Sequence, residues 1–143
     1  MLRAGLSEPI MTEFFNDLSP AIVLGQADHA KLNRLAMAGL DHTPELSDQL
    51  LYELDRAEVV ADMAVPADIA RMGSSVRYRT DAGTEQDVTL VYPADADISS
   101  GRISVMTPIG TALIGLRQGQ SITWRDRALK RHMLTVLSVK APA

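Results

Sequence analysis

No cysteine occurs among the 143 residues. That excludes a disulfide framework, a thiolate zinc site, an iron–sulfur cluster and a thiol nucleophile, and it fits a reducing compartment. Aromatic residues make up only 4% of the chain, and after residue 66 just Tyr78, Tyr92 and Trp124 remain. A platform for stacking bases needs more than that on one face. Long apolar runs are missing as well. The most apolar stretch, Ile109–Leu116, has eight residues and includes Gly110, Thr111 and Gly115, against the ~18–20 that a spanning helix requires. The N-terminus sets Arg3 against Glu8, Glu13 and Asp17 with no continuous apolar core, so neither a signal peptide nor a membrane partner is expected. Positive charge is not in excess: 14 Lys/Arg face 18 Asp/Glu, a net charge of −4. Phosphate backbones are bound by neutralising their charge, so no direct sequence-specific nucleic-acid binding is expected.

What is present is a chain with 46% apolar and 22% charged residues, ordinary for a soluble domain with a small appendage and long enough for one hydrophobic core. Charge is unevenly placed. Residues 1–20 carry −2 and residues 21–60 carry −4, whereas residues 66–143 carry +3, which supports a division near residues 60–66. Residues 1–20 lack sustained periodicity and read as a loosely held tail, with Phe14, Phe15 and Leu18 able to dock elsewhere. A helix is expected from about Asp28, with Leu32, Leu35, Ala36 and Leu40 at helical spacing and Gly39 at its end. A second opens at Thr43 with Pro44 as its first residue, and Leu46, Leu50, Leu54 and Ala57 line one stripe. Joined by a short loop, two such helices fold back as an antiparallel hairpin, a short arm that must lean on the rest of the chain.

After Pro66 the pattern becomes one of strands. Ser75–Arg79 alternates, Asp81-Ala82-Gly83 supplies a turn, and Val88, Leu90 and Tyr92 alternate back. Ile103 and Val105 suggest a short strand. Thr107 is placed as the cap of a following helix, Pro108 in its first turn and Gly115 at the left-handed position after it. Strands near Ser121–Arg125 and Met133–Val139 flank a basic loop. The sum is α+β: a small antiparallel sheet covered by at least one helix.

Candidate chemistry is thin. His29, His42 and His132 form no metal-ligand spacing with their neighbours and read as exposed or structurally satisfied imidazoles. Gly110–Gly115 has the spacing of a phosphate loop but is followed by Leu116-Arg117, without the lysine and hydroxyl that chemistry needs. Asp95 and Asp97 lack a third ligand, so a solvated loop is favoured over a cation site. Arg125, Arg127, Lys130 and Arg131 read either as an anionic-partner site or as a charged hairpin loop that discourages edge pairing. At the turn between the helices, Asp41 and Glu45 suit either delivery of magnesium to another enzyme's active site or the capping of the second helix. No cofactor, metal site or catalytic residue is assigned.

The run Ile103-Ser104-Val105-Met106-Thr107-Pro108-Ile109-Gly110-Thr111-Ala112-Leu113-Ile114-Gly115-Leu116, followed by Gly119, resembles the signature of the C-terminal domain of GreA/GreB transcript cleavage factors. Leu51-Tyr52-Glu53-Leu54-Asp55-Arg56-Ala57-Glu58 and Thr89-Leu90-Val91-Tyr92-Pro93-Ala94 are similar to one branch of that group, Rnk, the regulators of nucleoside diphosphate kinase. The resemblance covers about residues 21–139. It implies an FKBP-like C-terminal domain over residues 61–143, a short Rnk-type helical hairpin over residues 21–60 and a tail over residues 1–20.

It further implies binding to RNA polymerase at the secondary channel. Docking would fall to Met106, Thr107, Pro108 and Ile109, although Gre factors place a polar or acidic residue where Met106 stands. Gre factors also carry a much longer coiled coil whose tip acids hold magnesium. The spacing of Asp41 and Glu45 is not that tip motif, and a tip that cannot arrive cannot catalyse. The expectation is therefore a cytoplasmic, monomeric regulator, not an enzyme, which competes with Gre factors and affects nucleoside diphosphate kinase indirectly. The alternatives are a Gre-like cleavage factor using Asp41 and Glu45, and an FKBP-like peptidyl-prolyl isomerase, which would need more aromatics than this chain offers.

Overall fold

The computed structural model describes residues 17–142; Phe14 and Phe15 lie outside them. Helix α1, Gln26–Ala38, starts slightly before the expected position and takes Asp28 into its first turn, where a carboxylate favours the positive end of the helix. Helix α2, Pro44–Arg56, opens on Pro44, whose missing N–H would have had no helical partner. The turn 39–43 joins them, and Leu32 and Ala36 of α1 are buried together with Leu50 and Leu54 of α2. Leu40, expected on this stripe, is only half-buried, because α1 has already ended at Ala38.

Two short strands close the base of this pair. Strand β1, Val23–Gly25, precedes α1, and β2, Glu58–Val60, follows α2; they run parallel with Leu24 opposite Val59. Neither strand is expected from the sequence, where three residues are too few to show a period.

The larger sheet is built from β3 (Ser75–Thr80), β4 (Glu85–Val91), β5 (Arg102–Ser104), β6 (Ser121–Arg125) and β7 (Arg131–Lys140), in the order β5-β4-β3-β7-β6. The β3–β4, β3–β7 and β6–β7 pairs are antiparallel. The expectation of an antiparallel sheet needs one correction: β5 lies parallel to β4. Between them the chain makes two 3-10 turns, Pro93–Asp95 and Ile98–Ser100, and reverses at Gly101 (φ 75°). That link carries the chain back beside Thr89, so β5 runs along the last three residues of β4 in the same direction. Helix α3, Pro108–Leu113, covers the sheet.

The core has two parts. One lies between sheet and α3 and contains Ile22, Val76, Tyr78, Leu113, Leu116, Leu134 and Val136. The other joins the helical pair to the domain: Leu24, Leu32, Leu50 and Leu54 pack with Met72, Leu90, Val105 and Ile114. The pair is thus part of a shared core, which supplies the apolar burial that two short helices lack alone. Residues 17–20 are held too. The Thr123 N–H donates to the Leu18 carbonyl at 3.0 Å, the Leu18 N–H to Thr123 Oγ1 at 2.8 Å, and Arg56 to the Pro20 carbonyl.

Candidate partner-docking site

The turn that opens α3 is fixed by its own side chains. Thr107 Oγ1 donates to the Ser104 carbonyl at 2.7 Å and accepts from the Gly110 N–H at 3.0 Å, the cap its position predicts. The Met106 N–H donates to Ser104 Oγ at 2.9 Å, and the buried Thr111 hydroxyl donates to the Val105 carbonyl at 2.8 Å. A Cβ on Gly110 would fall on the Ser104 carbonyl oxygen and 2.8 Å from Val105 Cα, so only glycine lets the strand and helix approach this closely. The Gly110 N–H is spent on Thr107 and that of Gly115 on the Ala70 carbonyl at 2.7 Å. Neither is free to cradle a phosphate.

Met106, Thr107, Pro108 and Ile109 are each half-buried. Met106 packs into the core beneath the helical pair, with its Cε 3.2 Å from where a Cβ on Gly39 would stand. Ile109 packs against the sheet core. Pro108 faces outward into a groove of about 530 Å³, which it shares with Glu45, Ala112, Trp124, Arg127 and Leu129. Of the two acids at the helix turn, Glu45 lines this groove and Asp41 does not; both are exposed. Trp124 is the only one of Tyr78, Tyr92 and Trp124 that reaches it.

The far wall is the β6–β7 turn, whose role the sequence reading left open. Asp126 organises it. Its Oδ1 accepts from the Ala128 and Lys130 N–H groups, both at 2.9 Å, and its Oδ2 lies 2.9 Å from His132 Nε2. The His132 contact, followed by the Lys130 amide, holds this carboxyl below the usual carboxylate range. Leu129, at φ 65° and 74% exposed, presents its side chain to the groove instead of the core. His132 stacks on Trp124 with ring centroids 4.6 Å apart. Within the basic stretch, Arg125 and Arg131 approach Asp17 at 3.2 and 2.8 Å. The signal for this turn was present in the sequence: one aspartate interrupting a basic run is the residue that closes a turn through its own backbone.

Glu53, two turns after Glu45 on α2, also lines the groove, yet it is 4% exposed. Arg56 grips one of its oxygens at 2.6 Å, but burial outweighs that contact and pushes the carboxyl above its ordinary value. Among the remaining candidates, His29 Nε2 lies 3.1 Å from the Leu54 carbonyl, and Asp97 accepts from Ser99 and Ser100 at 2.6 and 2.7 Å. Among the described residues no group of three or more His, Asp or Glu could hold a metal ion. Nor is any helix among them long and apolar enough to cross a membrane.

A five-stranded mixed sheet crossed by a capped helix is preceded by a short helical pair that packs into the same domain. Residues 65–141 match the family described as transcription elongation factor GreA/GreB, C-terminal, and residues 20–60 match the Rnk N-terminus. The chain is 40% identical over 110 residues, 73% of its length, to the regulator of nucleoside diphosphate kinase of Escherichia coli K12, of which this covers 78%. It is 41% identical over 76 residues to the transcription elongation factor GreA of Chloroflexus aurantiacus, which spans 52% of this chain and 48% of that one. A solved GreA/GreB structure from Nitrosomonas europaea superposes with a TM-score of 0.64 at 34% identity, covering 85% of this chain and 99% of that one. The chain belongs to the Rnk family, the regulators of nucleoside diphosphate kinase related to GreA/GreB.

Proposed function

We propose that this protein binds RNA polymerase at its secondary channel through the turn Met106–Ile109 and competes there with Gre-type factors, performing no chemistry of its own. The observation that carries this reading is the preformed turn. Ser104, Thr107 and Thr111 fix its backbone before any partner arrives, which lowers the ordering cost of association. Pro108 faces the groove on this rigid base. Any effect on nucleoside diphosphate kinase is then indirect, through transcription. The same reading takes residues 21–60 and 61–143 as two functional units acting in a cytoplasmic monomer, and the sheet domain as FKBP-like.

Retention of the full-length protein on immobilised cognate RNA polymerase, with GreA as competitor, tests this. Pro108→Asp buries a charge in the contact and should weaken retention about tenfold or more, while wild-type protein should suppress GreA-stimulated transcript cleavage. No retention at micromolar concentration would refute the reading. Cleavage stimulated by this protein itself and abolished by Asp41→Ala with Glu45→Ala would establish the cleavage-factor reading instead.

A further inference from the structure

A second, smaller cavity of about 190 Å³ adjoins the groove, and the two share Gln49, Glu53, Ile122, Thr123, Trp124 and Arg125 as walls. They are two ends of one trench between α2 and β6. Asp17, Leu18 and Ser19 line the smaller end. This segment crosses from the end of α2, where Arg56 holds the Pro20 carbonyl, to the base of the β6–β7 turn, where Asp17 meets Arg125 and Arg131.

We propose that residues 17–20 are a releasable strap over the Trp124 end of the trench, and that a partner gains its full length only when the strap lifts. This rests on the docking reading of the groove. The fastenings are weak in kind. Asp17, Arg125 and Arg131 are each 34–42% exposed in their side chains, so salt weakens the pairing, more at Arg125 than at Arg131, whose partner oxygen Asp17 Oδ1 is itself buried. Leu18 remains 40% exposed and buries little apolar surface. One backbone hydrogen bond and one hydroxyl contact, both to Thr123, complete the attachment to the sheet. Segments with few buried contacts and exposed hydrogen bonds are the first to open.

What lies under the strap favours opening. Among the described residues Trp124 Nε1 is buried without an acceptor, and the Glu53 carboxylate is buried against its electrostatic preference. Both line the cavity that Asp17, Leu18 and Ser19 also line, so under this proposal lifting the strap would admit water or a bound protein to them. Closing it covers the β6 edge at Thr123, a strand whose other side alone is paired in the sheet.

Trp124 is the only tryptophan, so acrylamide quenching of the full-length protein's fluorescence reads the strap directly. Asp17→Ala removes both ion pairs and should raise the open population about tenfold at low salt, seen as steeper quenching. Molar sodium chloride should do the same to wild type and add little to Asp17→Ala. Lys130→Ala, a base of the same turn that does not meet Asp17, should leave quenching unchanged. With no native cysteine to interfere, an oxidised Leu18→Cys/Thr123→Cys protein should abolish the salt response and lower polymerase retention, and reduction should restore both. Equal quenching in wild type, Asp17→Ala and the oxidised double variant at every salt concentration overturns the strap. If Trp124 responds as stated while polymerase retention ignores the lock, the strap stands as a cover and the docking role of the trench falls.

Discussion

Two chain reversals meet at the same groove and are built on opposite plans. The turn 39–43 contributes His42 and Thr43 to it, and the turn opening α3 contributes Pro108. The first is held mainly by backbone bonds to Gly39, with one from the Thr43 hydroxyl to the same carbonyl at 3.3 Å. Its acids Asp41 and Glu45 stand exposed. The second is held by Ser104, Thr107 and Thr111 side chains that consume its backbone donors and acceptors. A carboxylate on an exposed side chain samples many positions and acts on partners chiefly through encounter rate and charge. A backbone fixed from within presents one shape. Under the proposed docking reading, shape recognition would fall to the α3 turn, and long-range attraction or repulsion to the helix turn.

The comparison breaks most easily at Gly110. Gly110→Ala must move the Ser104–Val105 backbone, since the two atoms nearest the added Cβ belong to it and the third, Thr107 Oγ1, is held by its own hydrogen bonds. Destabilisation of about 3 kcal/mol is expected in urea unfolding, together with loss of polymerase retention. A variant within ~0.5 kcal/mol of wild type would mean that the turn adapts freely and that its rigidity carries no recognition.

Single caps sharpen the contrast. Thr107→Ala removes the N-cap of α3 and the bond to Ser104, and should cost about 1 kcal/mol. Asp41→Ala and Glu45→Ala should each stay within ~0.5 kcal/mol. In binding, Thr107→Ala should weaken retention at all salt concentrations, while the two acid variants should change mainly its salt dependence. Equal stability losses at both turns would erase the distinction between them.

How far these features could be read from the sequence follows the range of the interactions that create them. Thr107-Pro108 before an apolar turn and Gly115 after it specify a helix through neighbours a few residues apart, and the structure places the cap and the positive φ there. Leu32, Leu50 and Leu54 announce their buried faces by spacing alone. Strands β1 and β2 are too short for a period, and each exists only because the other, across two helices, pairs with it. The parallel entry of β5 depends on how the link before it turns back, which alternation within the strand does not encode. The groove was illegible for the same reason. Pro108, Glu45 and Trp124 come from three separate stretches, and nothing local to any of them states that they share a wall. Glu53 carried no signal of burial, because a carboxylate on an amphipathic helix ordinarily faces water, even where, as here, the Leu54 beside it is buried.

Glu45 and Glu53 give the finest form of the comparison, because they occupy one helix and one groove, the first exposed and the second buried beside Arg56. Burial raises the folded-state value of Glu53 above the ordinary 4.5, with the Arg56 hydrogen bond and charge opposing but not reversing it. The folded protein therefore holds this proton more tightly than the unfolded chain. The associated stabilisation is complete below about 4.5 and is lost as pH rises through the higher folded value. Glutamine keeps an oxygen for Arg56 and cannot ionise. Glu53→Gln should match wild type in urea stability at pH 4 and become the more stable of the two at pH 7. If Glu53→Gln is instead the less stable at pH 7, the Arg56 pair outweighs desolvation, and the interior of α2 is held by charge rather than in spite of it.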